Sequence, residues 1–488
     1  MKKTYTILLL IIFALQLNAK NIQAYLSYAT FHSPTDGSYI ETYLSVLGST
    51  VKFIQNTNGK FQATVQISMV FRQNDVLKDF KKTDLLSPEI DDTSKVDFTF
   101  MDQQRFPLPD GDYEVEIQIL DKNKANARPY STTESLSISY PRAKINVSGI
   151  ELVESYKAAA ETKSILTKNG YDLIPFTINY YPKLINKITF YAEVYNTDTI
   201  LKADEKFLVY YYIEAYETGK TISDYYKFKK ESPKNVIVVF NEFDILNLPT
   251  GNYNLVIEVK DKDNKSLASN KMFFQRNNPD AQLKLQDLAA VDITNTFVDN
   301  ITNIDTLKDY IKSTYPISTQ IEKTFAENNI KLSDTKTLKQ YFLNFWINRN
   351  AIDPEKAWKE YLAEVKKVNK SYSTFIKRGY ETDRGRVYLQ YGAPNNITSV
   401  SSDPSAYPYE IWHYYSLANQ KDRKFVFYLP DLVTNDYELI HSNANGEYYN
   451  PSWQMQLNKR DTPTHDPDKT KGYDYFGGKA DDYYNHPH

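Results

Sequence analysis

The chain has 488 residues and no cysteine. This absence excludes disulfide bonds, thiolate metal ligands and a cysteine nucleophile. It also excludes the lipid-modified cysteine that anchors bacterial lipoproteins. Stability must therefore come from packed cores, and a chain of this length supplies enough apolar surface for several of them.

The sequence also lacks the common catalytic and phosphate-binding motifs. It has no Gly-x-Ser-x-Gly, no His-Glu-x-x-His and no phosphate-binding glycine loop. Of six histidines only His486 and His488 lie close together, and Asp261-Lys262-Asp263 starts a calcium-loop spacing that no glycine or glutamate completes. We therefore predict no metal and no cofactor, and we interpret the segment at Asp261 as a hairpin turn.

The sequence also lacks a large excess of charge of either sign. The net charge is −3 and lysines alternate with acids along the chain. Without a basic stripe or a polybasic amphipathic helix, the sequence favours neither a nucleic acid nor a membrane surface as partner.

The first residues resemble a secretory signal peptide. Lys2 and Lys3 precede an apolar run from Ile7 to Leu17, and Ala19 is a small residue at a plausible cleavage position. The run is shorter than the ~20 residues that span a bilayer, and no other stretch is long and apolar enough. We expect export of a soluble protein to the periplasm, the outer membrane or the cell surface, with mature residues beginning near Lys20.

An internal repeat lies in the N-terminal half. Leu108-Pro109-Asp110-Gly111-Asp112-Tyr113 recurs as Leu248-Pro249-Thr250-Gly251-Asn252-Tyr253, an offset of 140 residues, and both copies continue with alternating apolar residues. Pro-x-Gly forms a turn, and a period of two is typical of a strand with one buried face. The repeat predicts two tandem immunoglobulin-like sandwiches, each with a tyrosine that fixes the corner before a late strand.

A helical pattern follows the sandwiches. Apolar residues at three- and four-residue spacing predict helices over 304–315, 317–328, 335–348 and 354–372, with capping by Asp334 and Asp353. Strands are then predicted over 386–391, 409–416, 424–429 and 437–441.

The chain therefore reads as a mainly β multidomain protein with an α+β C-terminal domain. The remaining polar C-terminal residues cannot bury enough surface to order themselves, so we expect them to be flexible or ordered by a partner. The predicted division is a signal peptide over 1–19, sandwiches over 20–142 and 143–276, a linker over 277–301, an α+β domain over 302–457 and a tail over 458–488.

Residues 379–394, with Phe345-Trp346-x-x-Arg349 and Tyr409-Glu410-x-Trp412, resemble the GWxTD-domain family. The resemblance implies an exported, Bacteroidota-type protein with sandwiches before the domain, and it transfers no catalytic residue. The tryptophan of the family's name is Tyr380 here. The motif and possible binding residues are Gly379, Tyr380, Thr382, Asp383, Arg384, Gly385, Arg386, Glu410 and Trp412.

Two interpretations of these residues stay open. Thr382 and Asp383 can cap a turn, and Arg384 and Arg386 can pair with Asp383 or Glu410 in a structural network. Alternatively, these charges could converge with His413 for acid–base chemistry in a hydrolase.

The composition favours binding over catalysis. The 41 tyrosines suit recognition surfaces as well as strands. We predict a non-enzymatic binding or scaffold protein of the cell envelope, a component or accessory of an outer-membrane secretion or assembly complex with protein partners. The alternative is a glycan-binding protein or a hydrolase with a site around Asp383, Arg384 and Glu410.

Overall fold

The computed structural model describes residues 22–125, 127–160, 164–280, 291–332, 334–418, 420–458 and 477–485. The predicted signal peptide over 1–19 lies outside the described residues, as do parts of the predicted linker and tail. The described chain is mainly β, with helices concentrated in its C-terminal part, as the sequence predicts.

The first β-sandwich, called sandwich 1, pairs a three-stranded sheet of order β1-β2-β7 with a four-stranded sheet of order β6-β5-β8-β9. A short β3-β4 hairpin flanks them. The strands are β1 Ala24–Ser33, β2 Gly37–Leu47, β3 Ile54–Gln55, β4 Phe61–Gln62, β5 Thr64–Gln73, β6 Val76–Leu86, β7 Thr99–Pro107, β8 Gly111–Asp121 and β9 Tyr130–Ile138.

The second sandwich, sandwich 2, repeats this arrangement. In one sheet β15 pairs with β10, β11 and β18, and β13 and β12 extend it beyond β11; the other has the order β14-β20-β19-β16-β17. The elements are β10 Asn146–Val147, β11 Glu151–Ala158, β12 Thr167–Lys168, β13 Tyr171–Pro175, β14 Tyr180–Pro182, β15 Lys187–Tyr195, α1 Thr197–Ile200, β16 Phe207–Ala215, β17 Thr221–Glu231, β18 Val236–Asp244, β19 Gly251–Lys260 and β20 Ser266–Asn277.

The predicted repeat is confirmed by two equivalent corners. Tyr113 at the start of β8 donates its hydroxyl to the Pro109 carbonyl at 2.7 Å, and Tyr253 in β19 donates to Pro249 at 3.0 Å. Both rings are buried, so each closes a turn while filling its sandwich core.

The two sandwiches pack face to face through the sheets that contain β1 and β15. Ala29 and Phe31 of β1 lie in one apolar cluster with Val153, Leu173 and Tyr191 of sandwich 2. The side chains at this interface are largely aromatic, which explains where some of the tyrosines are used.

A buried ion cluster lies beside that apolar contact. The Lys168 ammonium from sandwich 2 lies 2.5 Å from Glu41 of sandwich 1 and 2.6 Å from Glu151, and all three side chains are almost fully buried. It also lies 3.9 Å from the centre of the Phe31 ring, while Tyr43 donates to Glu41 at 2.7 Å. Burial raises the pKa of Glu151, although Lys168 favours its charged form. A buried charge is tolerated only when paired, so this cluster fixes one mutual orientation of the sandwiches.

The C-terminal domain packs helices against a four-stranded antiparallel sheet of order β21-β22-β23-β24. One sheet face covers α6, and the other contacts α7 and α8. No helix among the described residues is long and apolar enough to cross a membrane. The elements are α2 Ile304–Ser313, α3 Gln320–Leu332, α4 Thr335–Arg349, α5 Pro354–Tyr372, α6 Asp383–Tyr391, β21 Asn396–Val400, β22 Tyr409–Leu417, β23 Gln420–Tyr428, β24 Glu438–Ser442, α7 Trp453–Leu457 and α8 Ala480–Asn485.

The helix predictions in this domain are confirmed, including their caps. Asp334 accepts from the Thr337 amide at 2.7 Å and Asp353 from the Lys356 amide at 2.9 Å. The strand predicted over 386–391 is wrong, because this segment belongs to α6. Val387 and Leu389 alternate with polar residues, but the Thr382 cap starts a helix before they are reached.

Two further expectations need correction. Residues 291–301, placed in the linker, contribute Val291, Ile293 and fully buried Val298 to the helical core. In the tail, α8 packs Ala480 and Tyr484 onto the domain, with the Tyr484 ring centre 5.3 Å from that of Trp453. Within the described part of the tail, residues 477–485 therefore contact the domain through aromatic side chains, although their composition is otherwise polar.

We expect Lys168→Met to destabilise the sandwich pair by about 3 kcal/mol, because Glu151 would remain buried without a cation and Glu41 would keep only Arg105 as its cationic partner. Urea unfolding followed by far-ultraviolet circular dichroism measures this. The matched control is Lys187→Met, whose ion pair with Glu242 is largely exposed, so its loss should affect stability far less. Equal effects of the two substitutions would contradict the role of the buried cluster.

Candidate functional site

The motif residues begin with two glycines that bring three segments into contact. Gly379 opens a 3-10 turn against α5, and a Cβ there would overlap the Val368 carbonyl. A Cβ at Gly385 would overlap the Gly379 carbonyl oxygen. Thr382 joins these segments, since its hydroxyl donates to the Gly379 carbonyl at 2.7 Å and accepts from the Gly385 amide at 3.1 Å. The glycines are therefore required for close packing of α6 on α5.

The neighbouring motif side chains complete this packing. Tyr380 is buried and donates its hydroxyl to Asp309 at 2.7 Å, so burial and this carboxylate raise its pKa. Asp383 accepts from the Leu439 amide at 2.8 Å and thereby ties α6 to β24. Each of these polar groups has a structural partner within the domain.

Arg384 and Glu410 form the central ion pair of the motif. The Arg384 guanidinium donates to Glu410 at 2.9 Å and lies 4.0 Å from the centre of the Tyr437 ring and 5.1 Å from that of Tyr372. The other Glu410 oxygen accepts from the Trp412 indole N–H at 2.9 Å. Both charged side chains are nearly buried, which leaves little of this pair open to a substrate.

The other charges expected to converge lie apart from this pair. Arg386 makes a bidentate pair with Glu447 at 2.8 and 2.7 Å. Desolvation works against the charge of Arg386, but this carboxylate raises its pKa overall. His413 instead bonds Asp422 at 2.7 Å, and although burial acts in the opposite direction, that bond and Lys424 hold the pKa of Asp422 well below its usual range. The geometry thus divides the five predicted acid–base residues among separate structural networks, since the Asp383 carboxylate accepts from the Leu439 amide of β24 and, among the described residues, forms no ion pair with the other four.

A large concave surface lies elsewhere, where the two sandwiches and the C-terminal domain meet. We call it the three-domain cleft; its volume is about 1220 Å³. Residues 22–30 of sandwich 1, residues 176–180 of sandwich 2 and residues 420, 421 and 423 of the C-terminal domain line it. None of the nine predicted motif residues does so. The volume exceeds that of most small-ligand pockets, so it can hold a sizeable ligand.

The wall between sandwich 1 and the C-terminal domain is polar. Arg423 lies 3.7 Å from Glu134 of β9, and the Tyr130 and Tyr449 hydroxyls are 2.9 Å apart. Burial raises the pKa of Glu134, although the Arg423 guanidinium favours the charged carboxylate. These contacts hold β9 against β23 and so define one side of the cleft.

Tyr449 at this wall rests on a buried histidine. The His441 ring centre lies 5.1 Å from that of Tyr449. Its Nδ1 accepts from the Asn450 amide at 3.1 Å, and its Nε2 bonds the Tyr484 hydroxyl at 3.0 Å. Burial lowers the pKa of His441 to about 4. The neutral ring is therefore part of the support of the cleft wall.

The cleft was not predicted from the sequence, because its lining comes from distant segments of three domains. No signal in the sequence marks Glu134 and Arg423 as neighbours. Among the described residues, no group of three or more histidine, aspartate or glutamate side chains could hold a metal ion.

Comparison with known proteins gives a family match in the C-terminal domain. Residues 284–460 match the GWxTD domain model. No curated protein sequence matches the chain.

Several solved structures match parts of this chain at low identity. Fibronectin(III)-like modules of Clostridium thermocellum CbhA are 11% identical over 50% of this chain and 90% of theirs, with a TM-score of 0.14. A family 2 glycosyl hydrolase from Bacteroides cellulosilyticus DSM 14838 is 13% identical over 48% of this chain and 28% of its own, with a TM-score of 0.20. Alpha-2-macroglobulin from Escherichia coli is 13% identical over 53% of this chain and 17% of its own, with a TM-score of 0.17. The matched regions span less than a third of the last two proteins.

We expect Arg384→Ala to lower the stability of the C-terminal domain by about 3 kcal/mol, because Glu410 would stay buried without its partner. Tryptophan fluorescence during urea unfolding isolates this domain, since all four tryptophans lie in it: Trp346, Trp358, Trp412 and Trp453. The control is Arg378→Ala, whose side chain is 60% exposed in its pair with Asp309 and should matter by less than about 1 kcal/mol. Unchanged unfolding of Arg384→Ala together with loss of an activity would indicate a ligand site instead.

We expect the C-terminal domain to lose stability as the pH falls from about 6.5 to 4. The folded pKa of His441 is about 4, below the ordinary 6.5, so the unfolded chain binds the proton first. The contribution is complete above pH 6.5, and its loss amounts to about 3 kcal/mol. His441→Gln should remove this part of the pH dependence in tryptophan-monitored unfolding. An identical slope in both proteins would contradict the assignment.

Proposed function

Residues 284–460 form a GWxTD domain, and from this premise we propose that the chain is an exported, non-enzymatic binding protein of the bacterial cell envelope. In this role it serves as a component or accessory of an outer-membrane secretion or assembly complex. The observation that carries the proposal is the three-domain cleft, a binding-sized concave surface built by all three folded units.

The state of the motif residues supports binding rather than catalysis. Asp383, Arg384 and Glu410 each have a partner inside the C-terminal domain, and Arg386 is occupied by Glu447. A general acid or base must reach the proton it transfers. The motif residues then stabilise the fold of the C-terminal domain, and the ligand binds at the cleft.

Protein partners fit the lining better than small molecules do. Tyr25 and Tyr28 are each 42% exposed in the cleft. Tyrosine buries a large area at low entropic cost and keeps a hydroxyl for hydrogen bonding, which suits protein recognition. The cleft also collects amide side chains, among them Asn179, Asn270 and Gln420.

Glycan binding is the second candidate, and a different surface favours it. Tyr226 and Phe228 on β17 are 44% and 58% exposed. Their ring centres lie 5.3 and 5.5 Å from that of Tyr210 on β16. Such an aromatic patch could stack on sugar rings.

The test is quantitative affinity purification of the tagged protein from its native envelope. We expect outer-membrane proteins to co-purify with the wild type and to fall at least tenfold with the double variant Tyr25→Ala/Tyr28→Ala. The matched control, Tyr226→Ala/Tyr415→Ala, removes two exposed tyrosines outside the cleft. Deletion of the tail is less suitable as a test, because it would also remove α8, whose Tyr484 ring packs against Trp453.

Two outcomes would contradict the proposal. In one, the wild type and both double variants are each purified without any co-purifying protein. In the other, only the control variant loses its ligand, and that ligand is a polysaccharide, which would assign binding to the aromatic patch at Tyr226.

A further inference from the structure

Strand β1 presents one backbone edge to the three-domain cleft. It pairs with β2 from Ala24↔Val46 to Ser33↔Gly37, and the Leu47 amide continues this register by donating to the Gln23 carbonyl at 3.0 Å. In an antiparallel pair the residues that exchange hydrogen bonds alternate. The odd-numbered residues of β1 therefore bond β2, and the N–H and C=O groups of the even-numbered residues point away from it.

Two contacts confirm this direction at the far end of β1. The Thr30 carbonyl accepts from the Gly149 amide at 2.7 Å, and the His32 amide donates to the Tyr195 hydroxyl at 3.0 Å. Sandwich 2 thus already uses the outer edge of β1 for hydrogen bonding. The same edge offers further groups at Ala24, Leu26 and Tyr28, and no described residue bonds to their backbone there.

This free edge faces the cleft. All nine residues over 22–30 line the cavity, whichever face of β1 their side chains occupy. Contact with both faces of a strand is expected when its edge borders the open space. Unpaired N–H and C=O groups that repeat every second residue, about 6.6 Å apart, are a template for another extended chain.

Apolar side chains lie next to the edge. The cleft borders the seam between β1 and β9, where four buried core residues of sandwich 1 lie behind its wall. They belong to the cluster that β1 helps to cover. These residues are Leu44, Ile117, Ile119 and Leu136.

The charges of the lining are largely paired. Five cationic side chains contribute to it, and Lys271, Lys421 and Arg423 each already pair with a carboxylate. The lining charges therefore do not select an acidic ligand. The cationic residues are Lys124, Arg128, Lys271, Lys421 and Arg423.

We propose that the cleft binds an extended segment of a partner protein, which adds to β1 as a further strand at Ala24, Leu26 and Tyr28. Alternate side chains of that segment face the seam between β1 and β9, and apolar ones pack against the edge of sandwich 1 there. This inference rests on the proposed binding function and names its ligand. A polysaccharide is the competing ligand, but it lacks the repeating N–H and C=O pattern that the edge complements.

A matched pair of variants tests the backbone contact. Leu26→Ala and Leu26→Pro both remove the leucine side chain, but only proline removes the N–H that faces the cleft. Because that N–H is not bonded to β2, proline is compatible with this edge position. Thermal unfolding of both variants verifies that they fold alike.

The probe is a random nine-residue peptide library, displayed on its encoding RNA and panned on the chain from residue 20 onward. We expect enriched peptides to alternate apolar residues. Synthetic copies, measured by fluorescence anisotropy, should bind Leu26→Pro about tenfold more weakly than Leu26→Ala. Bound peptide should slow amide exchange at Ala24, Leu26 and Tyr28, but not at Ser27, whose amide already bonds β2.

Equal affinity of the peptides for Leu26→Pro and Leu26→Ala would overturn strand addition. It would also be overturned if no peptide were enriched while an oligosaccharide from a glycan array bound the cleft. The envelope purification separates this inference from the proposed function. If partners depend on Tyr25 and Tyr28 but are retained by Leu26→Pro, the binding function stands and strand addition fails. If the peptides behave as expected but no envelope partner is captured, strand addition stands and the envelope role fails.

Discussion

The buried ammonium of Lys168 between Glu41 and Glu151 is the constraint on which the arrangement depends. It lies at the boundary of two domains, and a charge there is stable only when both domains supply their partners in one geometry. Sandwich 2 consequently covers one face of β1 and contacts one end of its outer edge. The rest of that edge borders the cleft and stays unpaired within the described chain. The ion cluster therefore determines how the sandwiches dock and, through that, which backbone groups of β1 stay accessible.

The GWxTD motif serves a different purpose in the same molecule. Gly379 and Gly385 allow a contact that no larger residue permits, and Arg384 links α6 to β22 through Glu410. These residues give the C-terminal domain its shape. That shape presents β23 to β9, where Arg423 and Glu134 meet and close one side of the cleft. The family signature and the binding surface are therefore separate, and the first positions the second.

Local patterns in the sequence were enough to predict most of the helices and strands. The period of two after Tyr113 and Tyr253 predicted the strands and the corners, and Asp334 and Asp353 marked helix starts by hydrogen bonds within three residues. Residues 386–391 misled because Val387 and Leu389 fit a period of two over too short a stretch, while the cap at Thr382 determined the helix. For residues 477–485 the prediction of a flexible tail was misleading, because composition does not show that the Tyr484 ring packs against Trp453.

The candidate site could be predicted only in part. The pairing of Arg384 with Glu410 was among the alternatives, since both residues belong to one recognisable motif. The pairs Lys168–Glu41 and Arg423–Glu134 join different domains, so they depend on how folded units dock and leave no local spacing in the sequence. The same holds for the cleft, which exists only between domains and not within any one of them.

The most direct test of the account is the distance between sandwich 1 and the C-terminal domain in solution. The chain has no cysteine, so Val76→Cys and Ile352→Cys place two spin labels at exposed positions without competing sites. Double electron–electron resonance should give a single narrow distance distribution, because the three domains form one frame around the cleft. A broad or two-component distribution would show that the domains move independently and would contradict the account.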